Sequence, residues 1–287
     1  MRKKIAIFGA GRVGATTAFL CALRELGDVV LWNRTADTAK GIALDIAESL
    51  PIYDSDVKII GTGDYADTKD SDIVVITAGA QRKPGQSRDE LVQANAQIVG
   101  PMAKEAVKVS PNAIFIVVSN PLDAMVYLVK QATNLPKEKV VGMAGILDSA
   151  RLRSFIASET GFSVDEVSAL ILGGHGDFML PLISHASVAG IQLEELVPKK
   201  RIQELAERAR NGGAEILQLE KDSSAYYAPG ASVVRMVESI VRDKKDVVPC
   251  AAYLDGEYGI SGIYMGVPVV LGSNGVEKVL EVKPKDI

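Results

Sequence analysis

The sequence predicts an α/β fold, a doubly wound parallel sheet followed by a smaller α+β domain, and three observations carry that expectation. Short, wholly apolar runs rich in β-branched residues alternate with helix-period segments through the first half of the chain. Gly9, Gly11 and Gly14 give a G-x-G-x-x-G spacing between the first apolar run and the first helical pattern. Beyond Gly142 the alternation stops, and long helices with separate strands replace it.

The first half reads as strands at Lys4–Phe8, Asp28–Trp32, Val57–Ile60, Asp72–Thr77, Ala113–Val118 and Lys139–Gly142. Helices at Arg12–Leu26, Asp37–Leu50, Ser87–Val109 and Leu122–Thr133 join them. Strands without polar alternation, linked by helices, belong to a parallel sheet covered on both faces. Six strands in that rhythm are the Rossmann arrangement, so residues 1–142 are expected to form a dinucleotide-binding domain. Residues 143–287 are expected to form the substrate and catalytic domain, with helices at Asp148–Thr160, Pro198–Glu220 and Pro229–Val241. Its strands are read near Val164–Leu172, at Val247–Leu254 and at Ile263–Leu271. With no flexible linker between them, the two parts should form one rigid unit with a cleft.

Totals narrow the classes of function. The chain has 287 residues, with 32 Lys plus Arg against 36 Asp plus Glu, a net charge of −4. Nothing in that balance favours a nucleic-acid or anionic-membrane partner. No run approaches the roughly 18 apolar residues of a membrane span, and "IAIF" after "MRKK" is too short for a signal peptide. The two cysteines lie in apolar surroundings with no C-x-x-C, so neither a disulfide framework nor a metal site is expected and the reduced cytoplasm is the expected compartment.

Chemistry gathers at predicted strand exits. In "GAGRVG" Gly9 permits the turn, Gly11 lets the backbone approach a pyrophosphate, and Gly14 lets helix and strand pack, with Arg12 and Val13 opening the helix. The second strand should end on an acid for the ribose of NAD, yet 33 − 14 = 19 residues past the last glycine stands Asn33, followed by Arg34. The loop "AQRKPGQSR" carries Arg82, Lys83 and Arg88 around Gly85, cations suited to an anionic substrate in a segment that can close as a lid. Asn120 in "VVSNPLD" is either a turn residue or a hydrogen-bonding group for a substrate oxygen or the cofactor carboxamide. Asp148 and Arg151 share one helix face at i and i+3, and His175 stands between glycines in "GGHGD". An acid/base histidine, a carboxylate to orient it and an arginine for a substrate carboxylate are thereby available.

These residues resemble the lactate/malate dehydrogenase family, through GAGRVG, RKPGQSR, VVSNPLD, LDSARLR, GGHGD and YGISGIYMGVPVVLG, over nearly the whole chain. The resemblance is nearest to the lactate-dehydrogenase-like malate dehydrogenases. It implies that His175 exchanges the C2 hydroxyl proton of malate as hydride moves between C2 and the nicotinamide. It implies that Asp148 orients the imidazole and favours its charged form, that Arg151 clamps the C1 carboxylate, and that Arg88 polarises the C2 carbonyl. Asn120 would bind substrate, and Asn95 and the Val118 backbone would contact cofactor. Arg82 would pair with the second carboxylate of malate or oxaloacetate, disfavouring lactate. Gln86 departs from the family's usual Met. The family implies a homodimer or homotetramer, with the helices around Thr17–Leu26 and Ala39–Leu50 between subunits. It also implies a further amphipathic helix of roughly 20 or more residues beyond "EKVLEVKPKDI" that this sequence does not include.

NAD is the cofactor that the family implies. Neutral Asn33 removes the repulsion of a 2′-phosphate and Arg34 offers it a cation, so acceptance of NADP is expected as well. Two other readings stand beside a malate dehydrogenase: another 2-hydroxyacid dehydrogenase such as a lactate enzyme, and a catalytically silent nucleotide-binding relative.

Overall fold

The computed structural model describes residues 2–80, 87–176, 178–221 and 223–283, with Arg88 described by its backbone alone. Six strands form a parallel sheet in the order β3-β2-β1-β4-β5-β6. They are β1 (Lys4–Phe8), β2 (Asp28–Trp32), β3 (Ile59–Thr62), β4 (Ile73–Ile76), β5 (Ile114–Val117) and β6 (Val140–Gly142). The connecting helices are α1 (Arg12–Leu23), α2 (Ala36–Ser49), α3 (Arg88–Val109) and α4 (Leu122–Thr133). The strand order reverses between β1 and β4, whose registers pair Ile5 with Ile73 and Phe8 with Ile76. Ligands bind at such a switch point, beyond the carboxyl ends of the strands.

Every side chain of β4 and β5 is buried, which accounts for the lack of polar alternation in their sequences. Alternate residues feed two cores. Ile5, Ile7, Val29 and Leu31 point into one with α1 and α2, and Ala6, Phe8, Val74 and Ile76 into the other with α3 and α4.

Strand edges moved where glycine geometry decided them. The run "VKII" places β3 at Val57–Ile60, but the ladder to β2 runs from Val29–Ile59 to Trp32–Thr62. Gly61 belongs in that strand because a Cβ there would collide with the Ala39 backbone of α2. Helix α1 stops at Leu23 rather than Leu26, since Glu25 turns into the left-handed region at φ 52° and Gly27 passes against the Lys3 carbonyl.

The second half continues the same sheet. Strand β6 pairs antiparallel with β12 (Asp246–Asp255) at Gly142–Ala251, and β12 pairs along its length with β13 (Ser261–Gly272). Beyond β13 lie β8 (Ile171–Gly173) and β9 (Met179–Pro181), while β14 (Gly275–Val279) adds to β13. The single strand expected near Val164–Leu172 divides into a 3-10 turn, β7 (Val167–Ser168) and β8. A small separate sheet joins β7 to β10 (Ser187–Val188) and β11 (Ile191–Gln192). Around these pack α5 (Gly145–Thr160), the one-turn α6 (Leu193–Leu196), α7 (Lys199–Glu220) and α8 (Tyr227–Val241). Helix α8 lies on α1: a Cβ at Gly230 would stand 2.7 Å from the Thr16 methyl. Among the described residues no helix is long and apolar enough to cross a membrane.

Candidate active site

The glycine loop leaves β1 at the switch point. Gly9 takes φ 117°, and a Cβ on it would meet the Thr77 hydroxyl and the Ala78 nitrogen at 2.7 Å, so the chain turns where only glycine fits. A Cβ on Gly14 would strike the Gly9 carbonyl, which is how α1 comes close to β1. Gly11 differs from both, with nothing within 4 Å of its Cβ position. It is the N-cap of α1, and that end carries no side-chain cap and no acid in its first turn. The free N–H groups of α1 thus face open space beside the least bulky residue, as an anion site requires. Arg12, exposed at this helix end, lies over the ring of Tyr226, 5.3 Å from its centre.

Next to it, the end of β2 is pinned by aromatic contacts. The Trp32 ring lies 4.8 Å from Tyr65 and 5.3 Å from Phe8. The Asn33 N–H donates to the Thr62 carbonyl at 2.9 Å, and its side-chain amide donates to the Thr35 carbonyl at 3.1 Å. Arg34 is exposed and makes no side-chain hydrogen bond or ion pair with the described residues.

The exits of β4 and β5 are tied together by Asn95 on α3. Its Oδ1 accepts from Ala80 N at 2.7 Å, and its Nδ2 donates to the carbonyls of Ala80 and Asn120 at 3.2 and 2.6 Å. Asn95, which the family resemblance puts in contact with cofactor, is 1% exposed here and its amide is committed to these loops. The backbone N–H of Val118 is likewise used, donating to Ile76 O at 2.9 Å, which leaves any cofactor contact there to its carbonyl. Asn120 stays exposed at the strand exit. Ser87 and Glu90 form a capping box that starts α3 at Arg88. Arg82, Lys83, Gly85 and Gln86 lie outside the described residues, as does the side chain of Arg88.

On the catalytic side α5 is pressed against β8. A Cβ at Gly145 would collide with the Ile171 carbonyl, and Ser149 Oγ accepts from Ile171 N at 2.8 Å. The helix therefore begins at Gly145, three residues before the sequence expectation, which puts Asp148 in its first turn, where the helix dipole favours a negative charge. Asp148 is 1% exposed and bridges two groups. Its Oδ1 accepts from Arg151 Nη1 at 3.1 Å and its Oδ2 stands 2.9 Å from His175 Nδ1. An Nδ1 that faces a carboxylate favours the tautomer with its proton there, which leaves Nε2 as the nitrogen to take or give a proton. His175 follows β8 through Gly173, at φ 85°, and keeps 20% of its side chain exposed.

Two contributions were not visible in the sequence reading. Helix α7 presents Gly212 to Arg151, with a Cβ position 2.9 Å from its Cδ and 3.2 Å from its Nε. Burial pushes the Arg151 guanidinium below its usual range, and the charge and hydrogen bond of Asp148 oppose that shift. Arg151 Nε has no hydrogen-bond partner among the described residues. Adjacent glycines inside a helix were the available signal, because each costs about 1 kcal/mol relative to alanine and implies a reason to be there. The second contribution is Asp123 in the first turn of α4, a carboxylate set against the His175 loop.

The two cysteines are buried and burial pushes their thiols up to about 12, which leaves no thiolate for covalent chemistry. No group of three potential metal ligands occurs among the described residues. A cavity lined by Lys3, Asp70, Asp72, Ser110 and Lys139 opens at the amino edge of the parallel strands, away from all of these groups.

The first family model to match is described as lactate/malate dehydrogenase, NAD binding domain, and covers residues 3–142. Residues 146–286 match the lactate/malate dehydrogenase alpha/beta C-terminal domain. A malate dehydrogenase of Rhodopirellula baltica is 55% identical over 287 residues, 99% of this chain and 91% of that protein. The crystal structure of Cryptosporidium parvum malate dehydrogenase has a TM-score of 0.96 at 42% identity, covering 100% of this chain and 93% of that one. A lactate dehydrogenase of the same organism, complexed with lactic acid and nicotinamide adenine dinucleotide, also gives 0.96 at 42%, over 100% and 92% of the two chains. Backbone similarity is thus the same for relatives of both names, while the glycine loop, the strand order and the two matching models agree on one conclusion. The chain belongs to the lactate/malate dehydrogenase family.

Proposed function

We infer that the chain is a malate dehydrogenase, and the observation that carries the chemistry is the buried series Arg151–Asp148–His175. A guanidinium, a carboxylate and an imidazole in that order bring a carboxylate-binding cation beside an acid/base nitrogen. In malate oxidation His175 Nε2 takes the proton of the C2 hydroxyl as the C2 hydride leaves, and the imidazolium so formed is stabilised by Asp148. In the reverse direction the same nitrogen returns the proton to the oxaloacetate carbonyl oxygen. Arg151 holds the C1 carboxylate, and Asn120, exposed at the β5 exit, hydrogen-bonds substrate. Arg88 polarises the C2 carbonyl and Arg82 pairs with the distal carboxylate; both roles rest on the family resemblance.

The residues present fit a nicotinamide dinucleotide: Gly11 and the uncapped α1 N-terminus take its pyrophosphate at the switch point, with Arg12 and Val13 beside it. When bound, that cofactor accepts or supplies the hydride. The Val118 carbonyl is free to meet its nicotinamide end, and Asn95 acts indirectly by holding the 80 and 120 loops in register.

Malate rather than lactate is supported by the 55% identical relative, since the backbone alone favours neither. The test is oxidation of reduced nicotinamide on adding oxaloacetate or pyruvate. Oxaloacetate is expected to be preferred, and Arg82→Gln to move activity toward pyruvate. No oxidation with either acid would refute the dehydrogenase reading, and an unchanged kcat/KM ratio in the variant would remove Arg82 from substrate choice.

For the cofactor, the NAD-binding model supports NAD, and Asn33 with the unpaired Arg34 supports use of NADP as well. Asn33 has no negative charge to repel a 2′-phosphate, and the Arg34 guanidinium is not already neutralised. Comparable kcat/KM values are expected for NADPH and NADH with oxaloacetate. A preference for NADH above about a hundredfold, near 2.7 kcal/mol, would show that Arg34 does not replace the missing acid.

The protein is expected to work in the cytoplasm as a homo-oligomer. Leu44, Ile52 and Tyr53, all more than half exposed on and just after α2, support association through that face.

A further inference from the structure

Asp123 is a carboxylate that the mechanism above does not use. It stands in the first turn of α4, two residues after cis Pro121, and comes from the half of the chain that binds nucleotide. Its Oδ1 is buried and makes no hydrogen bond with the described residues. The other oxygen, Oδ2, packs on the His175 loop, 3.1 Å from where a Cβ on Gly174 would lie. Burial raises its pKa above the ordinary carboxylate range, while the charge of His175 and the His175 backbone N–H lower it. The carboxylate therefore lies against Gly174, the residue before His175, close enough for its charge to act on the ring.

A carboxylate at a helix start usually caps that helix or answers its dipole. Here no hydrogen bond from Asp123 to an α4 N–H is present, and the side chain reaches across to β8's exit instead. Keeping a buried acid oxygen without a partner costs free energy, and such costs are tolerated where a site uses the charge. Charge balance shows the use. Among the described residues the charged groups set against His175 are Asp148 and Arg151 on α5 and Asp123 on α4. Asp148 stabilises the imidazolium directly but shares its charge with Arg151, so these three groups together carry a net positive charge when the ring is protonated. A second carboxylate offsets that excess, and among the described residues set against the ring Asp123 has no ion pair of its own.

We propose that Asp123 is a positioning residue for the acid/base histidine: packed on the His175 loop from α4, it supplies negative charge that stabilises the imidazolium beside Asp148. Asp148 sets which ring nitrogen is open, and Asp123 sets how readily that nitrogen holds a proton. The inference rests on the reading of His175 as the acid/base group. A negative charge beside an imidazole favours its protonated form, so removal of the Asp123 charge is expected to ease proton loss from His175.

The test uses the full chain and its two histidines, whose two imidazole Cε1–H resonances are assignable with His185→Gln. In Asp123→Asn, which keeps the shape and removes the charge, the His175 titration midpoint should fall by roughly 0.5 to 1 pH unit. The pH above which oxaloacetate reduction declines should fall by the same amount, because that direction needs the protonated ring. Asp123→Glu should restore both toward the unaltered values. A purely structural role would lower activity or melting temperature without moving either midpoint, and an unmoved midpoint overturns the proposal. If Asp123→Asn does not fold, the carboxyl carbon resonance of Asp123 in the unaltered chain decides: it should shift as His175 titrates, and its failure to do so overturns the proposal. Full activity in His175→Gln would refute the acid/base reading instead, leaving the two NMR outcomes to judge Asp123 separately.

Discussion

Replacing His175 by Gln should lower kcat for oxaloacetate reduction by about 10²- to 10⁴-fold, the range that a positioned general acid contributes, with little change in nicotinamide binding. Gln retains an amide near the position of the imidazole, so the pocket keeps its polarity and volume while proton exchange is lost. The series beyond His175 sets the size of the effect. Asp148 is held by the α5–β8 contact, its two oxygens are divided between Arg151 and His175, and the ring has no freedom to present the other nitrogen. Asp148→Asn should therefore cost activity on a similar scale, because an amide can direct its NH₂ at Nδ1 and stabilise the wrong tautomer. It also strands the Arg151 guanidinium, and breaking a buried pair costs about 3–5 kcal/mol, so Asp148→Asn should melt at a lower temperature whereas His175→Gln should not. The measurements are steady-state kcat with saturating oxaloacetate and a thermal melt of each variant. Loss of less than about tenfold in His175→Gln would mean that water or another side chain handles the proton.

The glycine motif and the apolar runs made the parallel half of the fold legible, because buried β strands and the G-x-G-x-x-G turn have sequence signatures tied to backbone sterics. The short antiparallel strands β9, β10, β11 and β14 escaped, since they lack the regular alternation with helices that marked the equally short parallel strands. In the site, Asp148 and Arg151 were legible together because i and i+3 share a helix face whatever the tertiary structure. That His175 meets Asp148 27 residues away depends on how α5 packs on β8, which only the family resemblance supplied. Asn95 shows the opposite case. The family resemblance implies a cofactor contact for it, while its three hydrogen bonds to the protein's own loops are invisible without the fold. Asp123 was passed over for a related reason, since an acid in a helix's first turn needs no further explanation until its partner is seen.

Replacing Arg151 by Gln should reduce kcat/KM for oxaloacetate by about 10³-fold, near 4 kcal/mol, within the 2–5 kcal/mol lost when one member of a buried charged contact is truncated. The loss should fall on both kcat and KM, because a substrate without its carboxylate clamp is neither held nor aimed at His175 Nε2. A merely structural arginine would show a lower melting temperature with unchanged kinetics below it, so kinetics at 20 °C under the melting transition separate the two. Gly212→Ala refines the same argument without touching a charge. A new methyl 2.9 Å from Arg151 Cδ cannot be accommodated where it stands, and the guanidinium must move away from α7. Helix propensity alone would make this substitution stabilising by about 1 kcal/mol, because α7 is helical on both sides of Gly212. The expected result is therefore a split: KM for oxaloacetate rising by roughly tenfold or more while the melting temperature holds or rises, since displacements near 1 Å suffice for losses of that order. A Gly212→Ala chain with unaltered KM would show that Arg151 has room to spare and that its contact with α7 does not position it for substrate.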